Sequence, residues 1–128
     1  MKKKEMNRVV IGLGSNHDGE KNIAIAIELL RERFPSIRIS SPKYTEPEGM
    51  EGSGLFLNCM AVALTPEAPD ALTAIFKQME KTLGRTPQGK QAGIISIDID
   101  LLQWNDLVLK PEDLKRNANN GITITLHD

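Results

Sequence analysis

An α+β sandwich is what this sequence predicts: an antiparallel sheet with two helices packed on one face. Two segments carry apolar residues at helical spacing, four others read as strands, and their order is strand, helix, strand, strand, helix, strand. That order is the split βαβ arrangement of a ferredoxin-like βαββαβ sandwich. No internal repeat or low-complexity segment interrupts it, so residues 1–128, with 40% hydrophobic content, read as a single domain around one core.

The first strand covers Arg8 to Gly14, where Val9, Val10 and Ile11 run into the break Gly12-Leu13-Gly14-Ser15-Asn16. Its two glycines read as a tight bend. Ile23, Ile27, Leu30 and Phe34, supported by Ala26 and Leu29, recur at helical spacing until Pro35 stops them. Ile37 and Ile39 alternate with Arg38 and Ser40 as a half-buried strand, which fades into the Gly-, Pro- and Glu-rich stretch from Pro42 to Gly54, expected to be a mobile loop. Leu55 to Leu64 reads as a central strand whose single polar interruption is Asn58. Thr65 is suited to cap the next helix and Pro66 to open it. Leu72, Ile75, Phe76, Met79 and Leu83 mark the buried stripe of that helix, and Gly84 sits where a C-terminal cap belongs. The fourth strand is Ile94 to Leu102, and Asn105-Asp106 can turn it back into Leu107-Val108-Leu109. Beyond Pro111 to Asn120, the alternation of Ile122, Ile124 and Leu126 predicts an added edge strand.

Within the fourth strand, Ile95, Ile97, Ile99 and Leu101 share one side, and Ser96, Asp98 and Asp100 share the other. The two aspartate Cα atoms are then roughly 6.6 Å apart, and like charges at that spacing repel unless a cation lies between them. Mg²⁺ takes one or two carboxylates plus phosphate oxygens, so the pair points to a metal-nucleotide site. The plainer alternative is the wet outer face of an amphipathic strand. Asn58, an amide in an apolar strand, needs partners, which a ligand or a sheet edge can supply. Asp98, Asp100 and Asn58 are expected together on the sheet face that the helices leave open.

Several classes of function are excluded or weakened by composition. With 16 basic and 17 acidic residues the net charge is -1, which supplies no broad field for nucleic acid or an anionic membrane. The lone Cys59 has no disulfide partner and reads as core, and His17 with His127 make no zinc set. No 18-residue apolar stretch and no signal-type N-terminus is found, so the chain is expected to be soluble and cytoplasmic. Gly84 to Gln91 comes within one residue of a P-loop, but Gln91 stands where Ser or Thr would ligate Mg²⁺; the segment reads as a flexible loop, with Arg85 and Lys90 as point charges for phosphate. Gly12 and Gly14 begin a dinucleotide fingerprint that His17 breaks. No Gly-x-Ser-x-Gly elbow is present either, so a transfer that needs only positioning and metals fits better than nucleophilic catalysis.

Five segments in register carry a family resemblance: Ile11-Gly12-Leu13-Gly14-Ser15-Asn16, Tyr44-Thr45-Glu46-Pro47-Glu48-Gly49, Phe56-Leu57-Asn58, Glu80 to Gly84-Arg85, and Ser96-Ile97-Asp98-Ile99-Asp100. Over roughly the first 109 residues the chain resembles the 6-hydroxymethyl-7,8-dihydropterin pyrophosphokinases. The resemblance implies a ferredoxin-like core and an ATP-dependent transfer of pyrophosphate to a reduced pterin in folate synthesis. It implies that Asp98 and Asp100 ligate two Mg²⁺ ions on the ATP phosphates and that Asp98, Asp100 and Arg85 form the catalytic set. Glu80, Arg85 and Lys90 would lie on the nucleotide side. Asn58 would bond the pterin edge beside Phe56, with Thr45, Pro47 and Glu48 completing the pocket. The loops Pro42 to Gly54 and Gly84 to Gly93 would act as lids. The implied partners are ATP and the pterin, with no nucleic acid and no membrane, on a monomer or weak dimer.

Some positions depart from the family pattern. An Arg-x-x-Gly-Pro-Arg-like run with an aromatic usually precedes the aspartates, whereas this chain has Gln91-Ala92-Gly93-Ile94-Ile95. The family's Val-Pro-His-like C-terminal segment, with a second pterin-stacking aromatic, has no counterpart after Lys110. Two readings stay open: an active pyrophosphokinase with a minimal site, or a diverged paralogue that binds nucleotide or a pterin-like ligand with little or no transfer. A ferredoxin-like RNA-binding domain ranks third, given 4% aromatic content.

Overall fold

The structure, a computed structural model, describes residues 5–46 and 54–124. In chain order these form β1 (Asn7–Ser15), α1 (Gly19–Arg33), β2 (Arg38–Ile39), β3 (Lys43–Thr45), β4 (Phe56–Thr65), α2 (Pro69–Thr82), α3 (Pro87–Gln91), β5 (Asp98–Trp104), β6 (Leu107–Val108) and α4 (Pro111–Asn119). The sheet order is β2-β4-β1-β5-β6, and β3 also pairs with β4. All of these pairings are antiparallel. β2 lies against Val62 and Ala61 and β3 against Asn58 to Phe56, so the two form one edge interrupted near Pro42, which has no N–H to give a ladder. This is the predicted ferredoxin-like α+β fold.

Alternation along the strands separates two apolar layers. Val9, Ile11 and Leu13 of β1, Leu57, Cys59, Ala61 and Ala63 of β4, and Ile99 and Leu101 of β5 pack against Ile23, Ala26 and Leu30 of α1 and Leu72 and Phe76 of α2. Phe34 and Phe76 meet edge to face with centroids 6.4 Å apart beneath the two helices, a geometry worth about 0.5–1.5 kcal/mol beyond burial. Burial pushes the Cys59 thiol up to about 12, so this core cysteine is an inert thiol. On the opposite face a smaller cluster of Val10, Met60, Val62, Leu102 and Ile122 is backed by Leu114 of α4. It covers only one end of that face.

Local details differ from the sequence expectations in instructive ways. The stretch from Pro42 contains β3, whose three residues are held by the β4 ladder and not by their own pattern. Thr65 does not cap α2: it remains in β4, its Oγ1 accepts the Glu67 N–H at 3.2 Å, and the helix opens at Pro69. Gly84 has φ +88, the left-handed conformation expected just after a helix end. The loop after it is not bare, because Thr86 Oγ1 accepts the Gly89 N–H at 2.9 Å and caps the short α3. β5 begins at Asp98 instead of Ile94, since the preceding residues bond to Asn16: its Oδ1 accepts Ile95 N–H at 2.7 Å and its Nδ2 donates to Gly93 O at 2.7 Å. Gly12 and Gly14 are not a bend; both lie inside the continuous β1 ladder. Residues 122–124 form no strand; the Ile122 N–H donates to Asn117 O at 2.8 Å, folding that side chain under α4, and Leu126 lies outside the described residues.

Candidate active site

Cross-strand register builds the floor of the site. Gly14 of β1 faces Asn58 of β4 on one side and Asp98 of β5 on the other, and Gly12 faces Met60 and Asp100. These glycines leave the floor without side chains: a Cβ on Gly14 would lie 2.7 Å from Asn58 Oδ1, and one on Gly12 would lie 3.0 Å from Leu102 Cδ1. Asn58 therefore lies across Gly14, with its Nδ2 donating to Thr45 Oγ1 of β3. Above this floor opens a cleft of about 430 Å³, bounded by Thr45, Phe56 and Asn58 at the β3 end and by Arg85, Lys90 and α4 beyond the aspartates.

Both aspartates carry a cation. Arg85 Nη1 lies 2.7 Å from Asp98 Oδ1 and Lys110 Nζ lies 2.9 Å from Asp100 Oδ1. Burial, then the hydrogen bond and charge of Asp100, push the Asp98 carboxyl up to about 7 against the pull of Arg85. Burial acts on Asp100 as well, but its hydrogen bond with Asp98 and the Lys110 ammonium outweigh it and hold Asp100 below the usual carboxylate range. Asp98 thus holds its proton above the ordinary carboxylate range while Asp100 favours the ionised form. A hard divalent ion can take that proton's place, because the donors are oxygens and converge on the cleft. Among the described residues no cluster of three or more His, Cys, Asp or Glu could hold a metal, so an ion here would complete its shell with oxygens of water or a ligand.

The expected residues separate into groups. Asp98, Asp100, Arg85, Lys90, Thr45, Phe56 and Asn58 all line the cleft. Pro47 and Glu48 lie outside the described residues. Glu80, expected on the nucleotide side, lies close to the cleft but is not among its lining residues. It faces inward from α2, 5% exposed, where Oε2 accepts the Ile99 N–H at 2.8 Å and pairs with Arg85 Nη1 at 3.2 Å. Its effect is to orient Arg85 and anchor β5. Sequence reasoning missed α4, which adds Asp113, Arg116 and Asn117 to the wall, together with Lys110 and Asn120 at its two ends. The signal was there: Pro111 at the first helical position, Glu112 and Asp113 in the first turn and Arg116 in the last.

Residues 10–123 match the family model of 7,8-dihydro-6-hydroxymethylpterin-pyrophosphokinase. The 2-amino-4-hydroxy-6-hydroxymethyldihydropteridine pyrophosphokinase of Bacillus subtilis is 33% identical over 113 residues, which cover 85% of this chain and 67% of that protein. The protein of the same name from Porphyromonas gingivalis is 34% identical over 99 residues, 73% of this chain and 67% of its own. A folate synthesis bifunctional protein of Arabidopsis thaliana is 33% identical over 96 residues, 73% of this chain and 20% of that protein. The chain thus spans between a fifth and two thirds of the length of these curated relatives.

Proposed function

Because the chain belongs to the 7,8-dihydro-6-hydroxymethylpterin-pyrophosphokinase family, we propose that it transfers pyrophosphate from ATP to the hydroxymethyl group of a reduced pterin, a step of folate synthesis. The observation that carries this reading is the convergence of the Asp98 and Asp100 carboxylates, the cations Arg85 and Lys110 beside them and the Asn58 amide on one cleft. In the reaction the pterin hydroxyl oxygen bonds to the β-phosphorus, the bond from that phosphorus to the α,β-bridging oxygen breaks, and AMP leaves. The hydroxyl proton passes to solvent.

The residues divide this work by chemistry. Asp98 and Asp100 would hold two Mg²⁺ ions, which when bound supply charge neutralisation at the phosphates. Arg85 and Lys90 face the phosphates; Arg85, oriented by Glu80, is suited to hold a fixed direction. Asn58, pinned by Thr45, presents its carboxamide to the polar edge of the pterin, and Phe56 offers a ring beside it. No helix among the described residues is long and apolar enough to cross a membrane. Incubation with ATP, Mg²⁺ and 6-hydroxymethyl-7,8-dihydropterin should give pterin-dependent AMP. Nucleotide binding without that AMP would instead favour a diverged paralogue, in keeping with the uncharged segment Gln91 to Ile95.

A further inference from the structure

The two cations beside the aspartates are held very differently. Arg85 is clasped by three acceptors, Asp98 Oδ1 at 2.7 Å, Glu80 Oε2 at 3.2 Å and Ile97 O at 3.4 Å, and its side chain is 19% exposed. Among the described residues Lys110 has one ion pair, to Asp100, and its side chain is 46% exposed. Its backbone is nevertheless fixed, because the N–H groups of Leu109 and Lys110 both donate to Leu102 O, at 2.8 and 3.1 Å, and α4 starts at the next residue. Lys110 is therefore a flexible four-carbon arm on a rigid mount at the edge of the cleft. An ammonium held by this single contact, with its side chain half exposed, exchanges partners more readily than the clasped guanidinium of Arg85.

We propose that Lys110 is a nucleotide-phosphate contact parked on Asp100 in the ligand-free chain, and that it changes partner from carboxylate to phosphate when a metal-bound nucleotide enters. This rests on the proposed use of a metal-nucleotide at this site. The reason is competition for one carboxylate. A divalent ion on Asp100 repels an ammonium less than 3 Å from the same oxygen, as the 2.9 Å contact now stands. Phosphate oxygens on that ion give the ammonium a stronger acceptor within reach of its rotatable stem. The swap makes metal and nucleotide arrive favourably together, since metal alone displaces Lys110 without bringing the phosphate acceptor that receives it in the complex.

The test compares wild type with Lys110→Met, which keeps the apolar stem and removes the charge. Binding of Mg²⁺ with α,β-methylene ATP, whose α,β bridge cannot be broken, is measured by calorimetry, and binding of Mn²⁺ alone by electron paramagnetic resonance. Lys110→Met should weaken the nucleotide complex about tenfold or more, the loss of one charge-assisted hydrogen bond, while Mn²⁺ alone binds more tightly because Asp100 has lost its competitor. Unchanged nucleotide affinity would overturn the proposal. Weakening of both ligands together with a lowered melting midpoint would also overturn it, by making Lys110 a structural ion pair. If the wild type binds no nucleotide complex, this inference and the proposed function fall together. If the wild type binds it but forms no AMP with pterin, only the transfer reading falls, and the Lys110→Met comparison still decides this one.

Discussion

The two faces of the sheet are made from the same strands and obey different rules. On the helix-covered face, alternate residues of β1, β4 and β5 close against α1 and α2 in a dry layer that includes Ile11, Cys59, Phe76 and Ile99. On the other face the intervening residues of the same strands, Gly12, Gly14, Asn58, Asp98 and Asp100, line a charged cleft, and only the far end is sealed by Val10, Met60, Val62, Leu102 and Ile122. One face holds the fold together by burial, whereas the other holds charges at fixed spacing on a surface the first face keeps rigid. Stability and chemistry should therefore separate under mutation.

The largest effect should come from Asp98→Ala or Asp100→Ala. Either should lower pterin-dependent AMP formation about 1,000-fold or more while the melting midpoint stays near that of wild type. Near-normal turnover in both would remove the metal site and with it the contrast between the faces. On the dry face, Phe76→Ala should reverse the pattern, costing about 3–5 kcal/mol in denaturant unfolding while the folded fraction keeps its nucleotide affinity. Equal damage to both readouts would mean that the faces are not separable.

Gly14→Ala sharpens the comparison within the floor. Its methyl would sit 2.7 Å from Asn58 Oδ1, so Asn58 must leave its place, and the KM for the pterin should rise about tenfold with a smaller change in kcat. Gly12→Ala meets only the end of Leu102, which can turn aside, and should be milder. Steady-state kinetics on the two variants rank them, and an equal or reversed ranking would count against Asn58 as a ligand group.

The smallest effect is a pH dependence. Asp98 has a folded value of about 7 against an ordinary 3.8, so between these the folded chain binds more protons than the unfolded one. Stability of the metal-free protein should then fall as pH rises from about 4 to about 7. The lowered value of Asp100 acts below this window and does not oppose it. Melting midpoints of wild type minus those of Asp98→Asn should decline across that range, and a flat difference would contradict the raised Asp98 value.

How much was legible in the sequence depended on how local its cause was. The helical stripe Leu72, Ile75, Phe76, Met79 and Leu83 announced α2, and its end at Gly84 was read from backbone conformation alone. Thr65 and Pro66 misled because a good capping sequence was claimed by the β4 ladder, where Thr65 pairs with Asn7. α3 and β3 are short elements held by a side-chain cap and by a neighbouring strand, neither of which periodicity records. α4 has Leu114 packed on the sheet, too little apolar surface to make a stripe. The resemblance placed Glu80 on the nucleotide side, and only the position of β5 over α2 shows its carboxylate buried against Ile99 and Arg85.

By itself the sequence determined which residues share a face. Alternation is a property of the extended backbone, so Asp98 and Asp100 had to project together and Ile97 and Ile99 had to oppose them. Tertiary structure alone decided what each polar group meets. The contacts Asn58 to Thr45, Arg85 to Asp98 and Lys110 to Asp100 depend on strand register, on where α2 ends and on the return of the chain after β6. Those are set by the packing of the whole core, which no short window of sequence contains, and they turn a pair of like charges into a site.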